Sequence, residues 1–378
     1  MQILSNVLRS LLARVINRDD TECLPVSLRH EDGHLFVGFR GGTGRQCWIE
    51  KGVPFAGGFP SIVVEAKTLK SIVEMVSVLD VQKVEQGIQF KEVTDKSPVS
   101  WTLFECEADK STSQFLLATT VQARGVDRAA LRNATKCVTD ASATFAFSDE
   151  GRATVGATNG NMILFEAVSG VPDGQFVAAS DVLYRLVREV DTARIDFAMD
   201  ADADRYINRY TITACGDDEV RMSATTHDSV RTHPLPDLSS ITVWLRWAQQ
   251  QPEGAVLPLC ELSAWIATHQ PALEAARAGR RRARSLAPST CELRIEGANC
   301  IASLSTYSWD ITIPCGELTI ALPTAVQNPA TMQFDLQHLT DAAKFLDAET
   351  VSFGVGVNAG ASLMWMRSGS KLAIVSTR

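Results

Sequence analysis

The feature that most constrains this chain is a phrase used three times, in which a short apolar strand runs without a break into an amphipathic helix. The copies are Ile62 to Val73, Phe176 to Val187 and Met332 to Ala343. In each, the apolar helix positions fall at i, i+3 and i+4: Leu69, Ile72 and Val73; Leu183, Leu186 and Val187; Leu339, Ala342 and Ala343. That spacing puts them on one stripe, which must be covered by something apolar. A strand–helix unit repeated at long intervals implies repeated domains. The copies start about 114 and about 156 residues apart, so an extra segment sits between the second and third, and the helix-plus-basic stretch near 250–290 can supply it.

The length of 378 residues agrees with two to three domains, and a chain that is 45% hydrophobic and 21% charged has the composition of an ordinary globular protein. No run of about 18 apolar residues occurs, and the first residues lack a basic region followed by an apolar signal core, so neither membrane insertion nor secretion is indicated. The nine cysteines are odd in number, scattered and free of any C-x-x-C pair, which reads as reduced thiols in a cytoplasm.

Along the chain, a first helix is expected from Val7 to Arg18, with Ser5 or Asn6 as its cap, followed by hairpin strands, the repeat helix over about 66–77, and further hairpin strands. The same order recurs from about residue 120: a helix from Val126 to Val138, three strands, the repeat helix from Ser180, three strands. A linker at Pro234-Leu235-Pro236-Asp237 opens the last third, whose first helix is expected from about Cys260 to His269. Four short strands between 291 and 321 then lead to the third repeat phrase. The fold class is therefore α+β: three tandem domains over 1–119, 120–237 and 238–378, each with two helices packed on antiparallel β-sheets.

A net charge of −8 argues against a general nucleic-acid binder unless the cations are gathered in one place. They are. The six expected helices together carry about +6, leaving about −14 for the rest of the chain. The first helix carries Arg9, Arg14 and Arg18; the second, Lys67 and Lys70; the fourth, Arg185; the fifth runs into Arg280, Arg281 and Arg282. In the third helix Arg128, Arg132 and Lys136 repeat every four residues, with Arg124 just upstream, opposite Leu131, Ala134 and Val138. One cationic row of this kind is usually a solvated face. Segregation across four of six helices instead points to a phosphate track that positions without reading bases, although the fourth and sixth helices do not share it.

This arrangement resembles the bacterial DNA polymerase III beta sliding clamp family. Cys23-Leu24-Pro25-Val26-Ser27 looks like the family's Leu-Pro-Ile-Leu-Ser strand, and Gly156 to Leu164, reading Gly-Ala-Thr-Asn-Gly-Asn-Met-Ile-Leu, is similar to its Val-Ala-Thr-Asp-Gly-His-Arg-Leu segment. Phe334 to Leu346 with Glu349-Thr350-Val351 resembles its last helix and exit strand, and Leu372 to Arg378 stands where the family ends in Val-Val-Met-Pro-Met-Arg. The resemblance implies half of a closed ring, completed by a head-to-tail homodimer, with the helices facing duplex DNA. It further implies a non-enzymatic processivity factor without cofactor or metal, partnered by a DNA polymerase and a clamp loader. The partner peptide would lie in a groove between the second and third domains. By position, Thr158, Gly160, Asn161, Met162 and Ile163 would form one wall, Pro234 or Pro236 the linker side, Asp335 and His338 the helix side, and Val375, Ser376 and Thr377 the floor. Here Met-Pro-Met is replaced by Val-Ser-Thr, a smaller and more polar floor that buries less peptide. An adaptor that encircles DNA and recruits transcription, repair or defence proteins is the alternative this departure suggests.

Other chemistry is not indicated. Asp200, Asp202 and Asp204 open like a calcium loop, but Arg205 and Thr211 occupy the glycine and closing glutamate positions, so an acidic hairpin turn is expected. His227 and His233 have no third ligand nearby, and Gly41 to Arg45 lacks the Gly-Lys-Ser/Thr ending of a phosphate loop. Six histidines give no catalytic focus, and Trp244, Trp247 and Trp265 read as packing residues.

Overall fold

The fold is taken from a computed structural model, which describes residues 2–15, 25–43, 45–94, 98–105, 121–138, 143–169, 173–180, 183, 187, 192–203, 207–216, 221–229, 236–252, 254–278, 289–308, 311–358 and 360–377. It divides into two compact units. The first comprises Met1–Arg128 with Val182–Pro234, the second Ala129–Asp181 with Leu235–Arg378. The division runs through the middle third of the chain because the sheets continue from one third into the next.

In the first unit, strand Arg221–Ser229 pairs antiparallel with Arg45–Pro54 over six residues. This joins the hairpins Arg194–Ala203/Ile207–Gly216 and Pro25–Glu31/His34–Thr43 into one sheet, which also contains Val121–Asp127 and Ile62–Glu65. A second sheet is ordered Gln2–Leu4, Val78–Val84, Gly87–Glu92, Ser100–Phe104. Helix α1 (Ser5–Val15) buries Leu8, Leu11 and Leu12 and packs on α2 (Ala66–Met75), which buries the repeat positions Leu69, Ile72 and Val73. Helix α3 (Arg128–Cys137) begins where this unit ends.

In the second unit, the strand Met162–Val168 pairs antiparallel with Lys371–Ser376 and fuses two four-stranded halves into an eight-stranded sheet. Its two faces are both covered. On one, Met162, Leu164, Met364 and Val375 share a core with Ala134 and Cys137 of α3, with Leu262 and Ile266 of the helix over Leu259–Ala278, and with Leu339 and Ala342 of the helix over Leu336–Leu346. On the other, Phe145, Phe165, Trp365 and Ile374 lie beneath Ile241, Leu245 and Ala248 of a helix over Leu238–Gln250. In chain order these three helices are α4 (Leu238–Gln250), α5 (Leu259–Ala278) and α6 (Leu336–Leu346). A separate pair of long strands, Thr290–Ser308 and Ile311–Asp335, completes the unit.

Each repeat phrase is a strand running directly into a helix: Ile62–Glu65 into α2, Phe176–Ala179 into the helical Ser180, and Ile311–Asp335 into α6. Three further junctions of the same kind, missed in the sequence, are Gln2–Leu4 into α1, Val121–Asp127 into α3 and Ala255–Pro258 into α5. Gln2–Leu4 and Ala255–Pro258 carry too few apolar residues for a period to be read, and the helix expected from Val126 begins instead at Arg128, after the strand Val121–Asp127.

Four other expectations are corrected. Helix α4 stands where the sequence predicts no helix, since Thr242, Val243, Trp244 and Trp247 are poor helix formers; the Asp237 side chain caps it by accepting from the Ser239 N–H, and the sheet holds its apolar stripe. Trp244 and Trp247 pack against that core while remaining half-exposed. Helix α5 continues past His269 to Ala278 with Pro271 inside it, where the ring removes one helical N–H without ending the helix. The four short strands expected between 291 and 321 are stretches of the two long ones, because Gly297, at φ +59°, takes up its turn-like neighbourhood as a bulge. Asp200 and Asp202 lie within strand Arg194–Ala203, opposite Thr211 and Arg209, while Asp204, Arg205 and His233 fall outside the described residues.

Asp341 of α6 is 7% exposed and accepts a hydrogen bond from Gln337 Nε2 at 2.8 Å. Burial raises its pKa above the usual carboxylate range. The folded state therefore holds this proton more tightly than the unfolded chain, so the carboxyl costs no stability below the unfolded pKa of about 4 and weakens the fold as pH rises through the folded value. Asp341→Asn is expected to raise the urea midpoint at pH 7, with the gain shrinking as pH is lowered toward 4.

Candidate functional site

The cationic positions resolve into groups with different tasks. On α1, Arg9 is exposed, yet its guanidinium donates to the Val73 carbonyl at 2.7 Å, in the last turn of α2, where a cation complements the helix dipole. The Arg14 side chain is outside the described residues, as are Arg18, Arg185, Arg280, Arg281 and Arg282. Lys67 is exposed on α2, and Lys70 is half-buried with Nζ 4.0 Å from Glu74 Oε1, so its charge is partly answered within the helix. Arg128 Nε donates to the Val187 carbonyl at 3.0 Å. Arg132 and Lys136, one helical turn apart on α3, are both exposed, opposite the buried Leu131, Ala134 and Cys137. Arg124 is exposed too, but on strand Val121–Asp127 rather than on the helix.

The expected groove residues form a turn and a strand end. Gly160 takes φ +88° between two strands, and Asn159 Oδ1 accepts from the Asn161 and Met162 N–H groups at 3.1 and 2.9 Å. The Thr158 hydroxyl, buried at 5% exposure, donates to the Met162 carbonyl at 2.8 Å and accepts from the Gly160 N–H at 3.1 Å. Ser376 N–H donates to the Asn161 carbonyl at 2.9 Å, and Thr377 N–H to the Ser362 carbonyl at 3.0 Å, which brings this turn beside the last strand. The exposed residues here are Gly160 and Asn161, with Ser376 and Thr377 half-exposed.

Strand alternation splits the remainder. Met162 and Val375, opposite each other in the ladder, are fully buried on the side of α5 and α6, whereas Ile163, opposite Ile374, is half-buried on the side of α4. Asp335 caps α6 by accepting from the Gln337 N–H at 2.9 Å, and His338 stands one turn along, both half-buried. Pro236 is half-buried just before the Asp237 cap, and Pro234 lies outside the described residues. Sequence reasoning missed the α4 face and the exposed Val355 and Val357 near Ser362. Only the Val-Gly-Val alternation could have marked the latter as an edge strand.

Burial drives the thiol of Cys291 up to about 12 and that of Cys300 up to about 11, and it also raises Cys137, so these thiols are packing residues rather than nucleophiles. Among the described residues no group of three or more His, Cys, Asp or Glu could hold a metal ion, and no helix is long and apolar enough to cross a membrane.

No protein-family model matches the sequence, and no curated protein matches it. Solved structures do. The DNA polymerase III subunit beta from Pseudomonas aeruginosa superimposes with a TM-score of 0.62 at 13% identity, covering 100% of this chain and 99% of that one. The DNA polymerase sliding clamp from Bacillus subtilis gives 0.62 at 13% identity, with 100% and 98% covered. The Helicobacter pylori beta clamp bound to a DNA ligase peptide gives 0.59 at 11% identity, with 100% and 99% covered. This chain is thus built on the fold of the bacterial DNA polymerase III beta clamps, along its whole length.

Gly160 has no neighbour within 4 Å of a built Cβ, so only its left-handed backbone opposes a side chain there. Gly160→Ala is expected to cost about 1–2 kcal/mol in urea unfolding and to loosen the Asn161–Ser376 contact.

Proposed function

We propose that this protein is a non-enzymatic DNA sliding clamp that pairs head-to-tail with a second copy into a ring around duplex DNA and tethers a polymerase. The observation that carries this reading is the end-to-end likeness to the Pseudomonas aeruginosa subunit, with 100% and 99% of the two chains covered. Three tandem domains at 1–119, 120–237 and 238–378 are part of the reading, and the six strand-to-helix junctions, two in each third, support them. A clamp loader and a replicative polymerase are its partners. The Helicobacter pylori clamp with its ligase peptide supports a peptide groove on the same fold, here near Asn161, Ser376 and Thr377.

Ring closure needs strand edges that can accept a partner. In the first unit, strand Ser100–Phe104 is paired only with Gly87–Glu92 among the described residues, and Phe104 is 66% exposed. In the second, Thr290–Ser308 is paired only with Ile311–Asp335 among them. Two such edges on one chain suit a head-to-tail contact, in which each copy offers a different edge and the rotation closes. Light scattering at micromolar concentration should give a dimer mass for the wild type and a monomer for Phe104→Asp.

The exposed cations of α3 would meet phosphates from the inner wall. Retention on nicked circular DNA, with loss from linear DNA, tests encirclement directly. Arg132→Ser with Lys136→Ser should weaken retention and lower the slope of log affinity against log salt by about 0.9 per lost phosphate contact. An unchanged slope would remove these residues from the lining.

The polar pair Ser376 and Thr377 also favours a second reading, an adaptor on DNA that recruits something other than a replicase. Primer extension separates the two, since only a replicative clamp lengthens the products of its matching polymerase.

A further inference from the structure

Strand Thr350–Asn358 has one side filled and the other only half filled. Ala361–Ser368 pairs with it from Ser352 to Asn358, but Ala255–Pro258 covers the opposite side only from Thr350 to Phe353. Gly254 lies against the carbonyl of Phe353, so among the described residues the free edge runs from Val355 to Asn358. The direction of its backbone groups follows from the neighbouring strand. Val357 stands opposite Ser362, whose carbonyl accepts from Thr377 on the far side, so Val357 and Ser362 are a pair that exchanges no hydrogen bonds. The N–H and C=O of Val357 point outward, and those of Val355, two residues away, do the same.

The side chains around this edge are apolar. Val355 is 40% and Val357 66% exposed on one face. On the other, a Cβ at Gly356 would lie 2.8 Å from Trp247 Cζ2, so the missing side chain admits the indole of α4 against the strand. Residues 354–358 read Gly-Val-Gly-Val-Asn, without the lysine, proline or charge that commonly guards an edge. The edge is also continuous with the candidate groove, because Val357, Ser362 and Thr377 are successive neighbours across three strands on one face.

We propose that Val355–Asn358 receives an extended, uncharged, apolar segment of the partner protein by strand addition. The inference rests on the partner-tethering reading above and specifies how the peptide is held. Main-chain bonds to Val355 and Val357 supply the grip, and side chains of the added strand alternate between the two valines and the Trp247 indole. About four residues fill the edge, and none that pairs with Val355 or Val357 can be proline.

The test uses the full-length ring and a fluorescent peptide, Lys-Gly-Leu-Val-Leu-Val-Leu-Gly-Lys, with two controls in which alternate amides are N-methylated in either phase. Binding by anisotropy should weaken about tenfold or more with one N-methylated phase, and hydrogen exchange across 354–358 should slow when the unmodified peptide is added. Val357→Pro removes an outward N–H but no bond to Ser362, and it should weaken binding about tenfold, whereas Val357→Thr keeps the backbone and should stay within about threefold. Equal binding of all three peptides, indifference to Val357→Pro, or no binding up to about 1 mM would each overturn strand addition. Concentration-dependent assembly beyond the dimer that Val357→Pro abolishes would assign the edge to a second copy and overturn it as well. Retention on nicked circular DNA, measured in the same preparations, reads the clamp function separately: retention without peptide binding sinks only this inference.

Discussion

The ladder between Met162–Val168 and Lys371–Ser376 is the constraint on which the second unit depends. It joins segments about two hundred residues apart in sequence, and a shift of one residue would exchange its two faces. Both faces are buried: Leu164 and Val375 belong to the core beneath α5 and α6, Phe165 and Ile374 to the core beneath α4. Each such side chain contributes about 1.5–3 kcal/mol on full burial, so a slip would lose both cores together. The first unit has its counterpart in the pairing of Arg221–Ser229 with Arg45–Pro54. In both, sheet continuity carries stability from one third of the sequence to the next, and this is why compact units and sequence repeats do not share boundaries.

Charge follows from the same architecture. Sheets buried on both faces leave little room for cations, and each helix has one exposed side on which arginine and lysine remain hydrated. Cations on a helix and on strand ends also hold the protein together. Arg9 answers a carbonyl in the last turn of α2, Arg367 donates to the Ala248 carbonyl of α4 at 2.7 Å, and Lys371 donates to the Phe345 carbonyl of α6 at 2.9 Å. Arg132 and Lys136 are exposed one turn apart on α3, and on the proposed reading such hydrated cations would meet a mobile polyanion. On the proposed reading, weak and repeated attraction of this kind would let a duplex slide, whereas a tight ion pair would hold it in one register.

Much of the fold was legible because long amphipathic stretches announce themselves. Leu69/Ile72/Val73 and Leu339/Ala342/Ala343 are buried as their spacing required, and Leu183 and Val187 are buried in the second copy. Short strands and context-dependent helices were not. Gln2–Leu4 gains its identity only by pairing with Val78–Asp80, and α4 exists because Phe145, Phe165 and Trp365 wait beneath it. In the groove, position along the chain located Thr158, Asn161, Ser376 and Thr377 together, yet it could not show that Met162 and Val375 turn inward while Ile163 turns the other way. That depends on which partner strand sets the register.

Sequence alone determined the repeated strand–helix units and the α+β class, because each is a local pattern of period or propensity. Tertiary structure decided which faces are covered, which cations are bound to carbonyls and which meet solvent, and where strands are left without neighbours. Those outcomes depend on pairings between distant segments, such as the one that ends at Phe353 and leaves Val355 and Val357 exposed at an open edge.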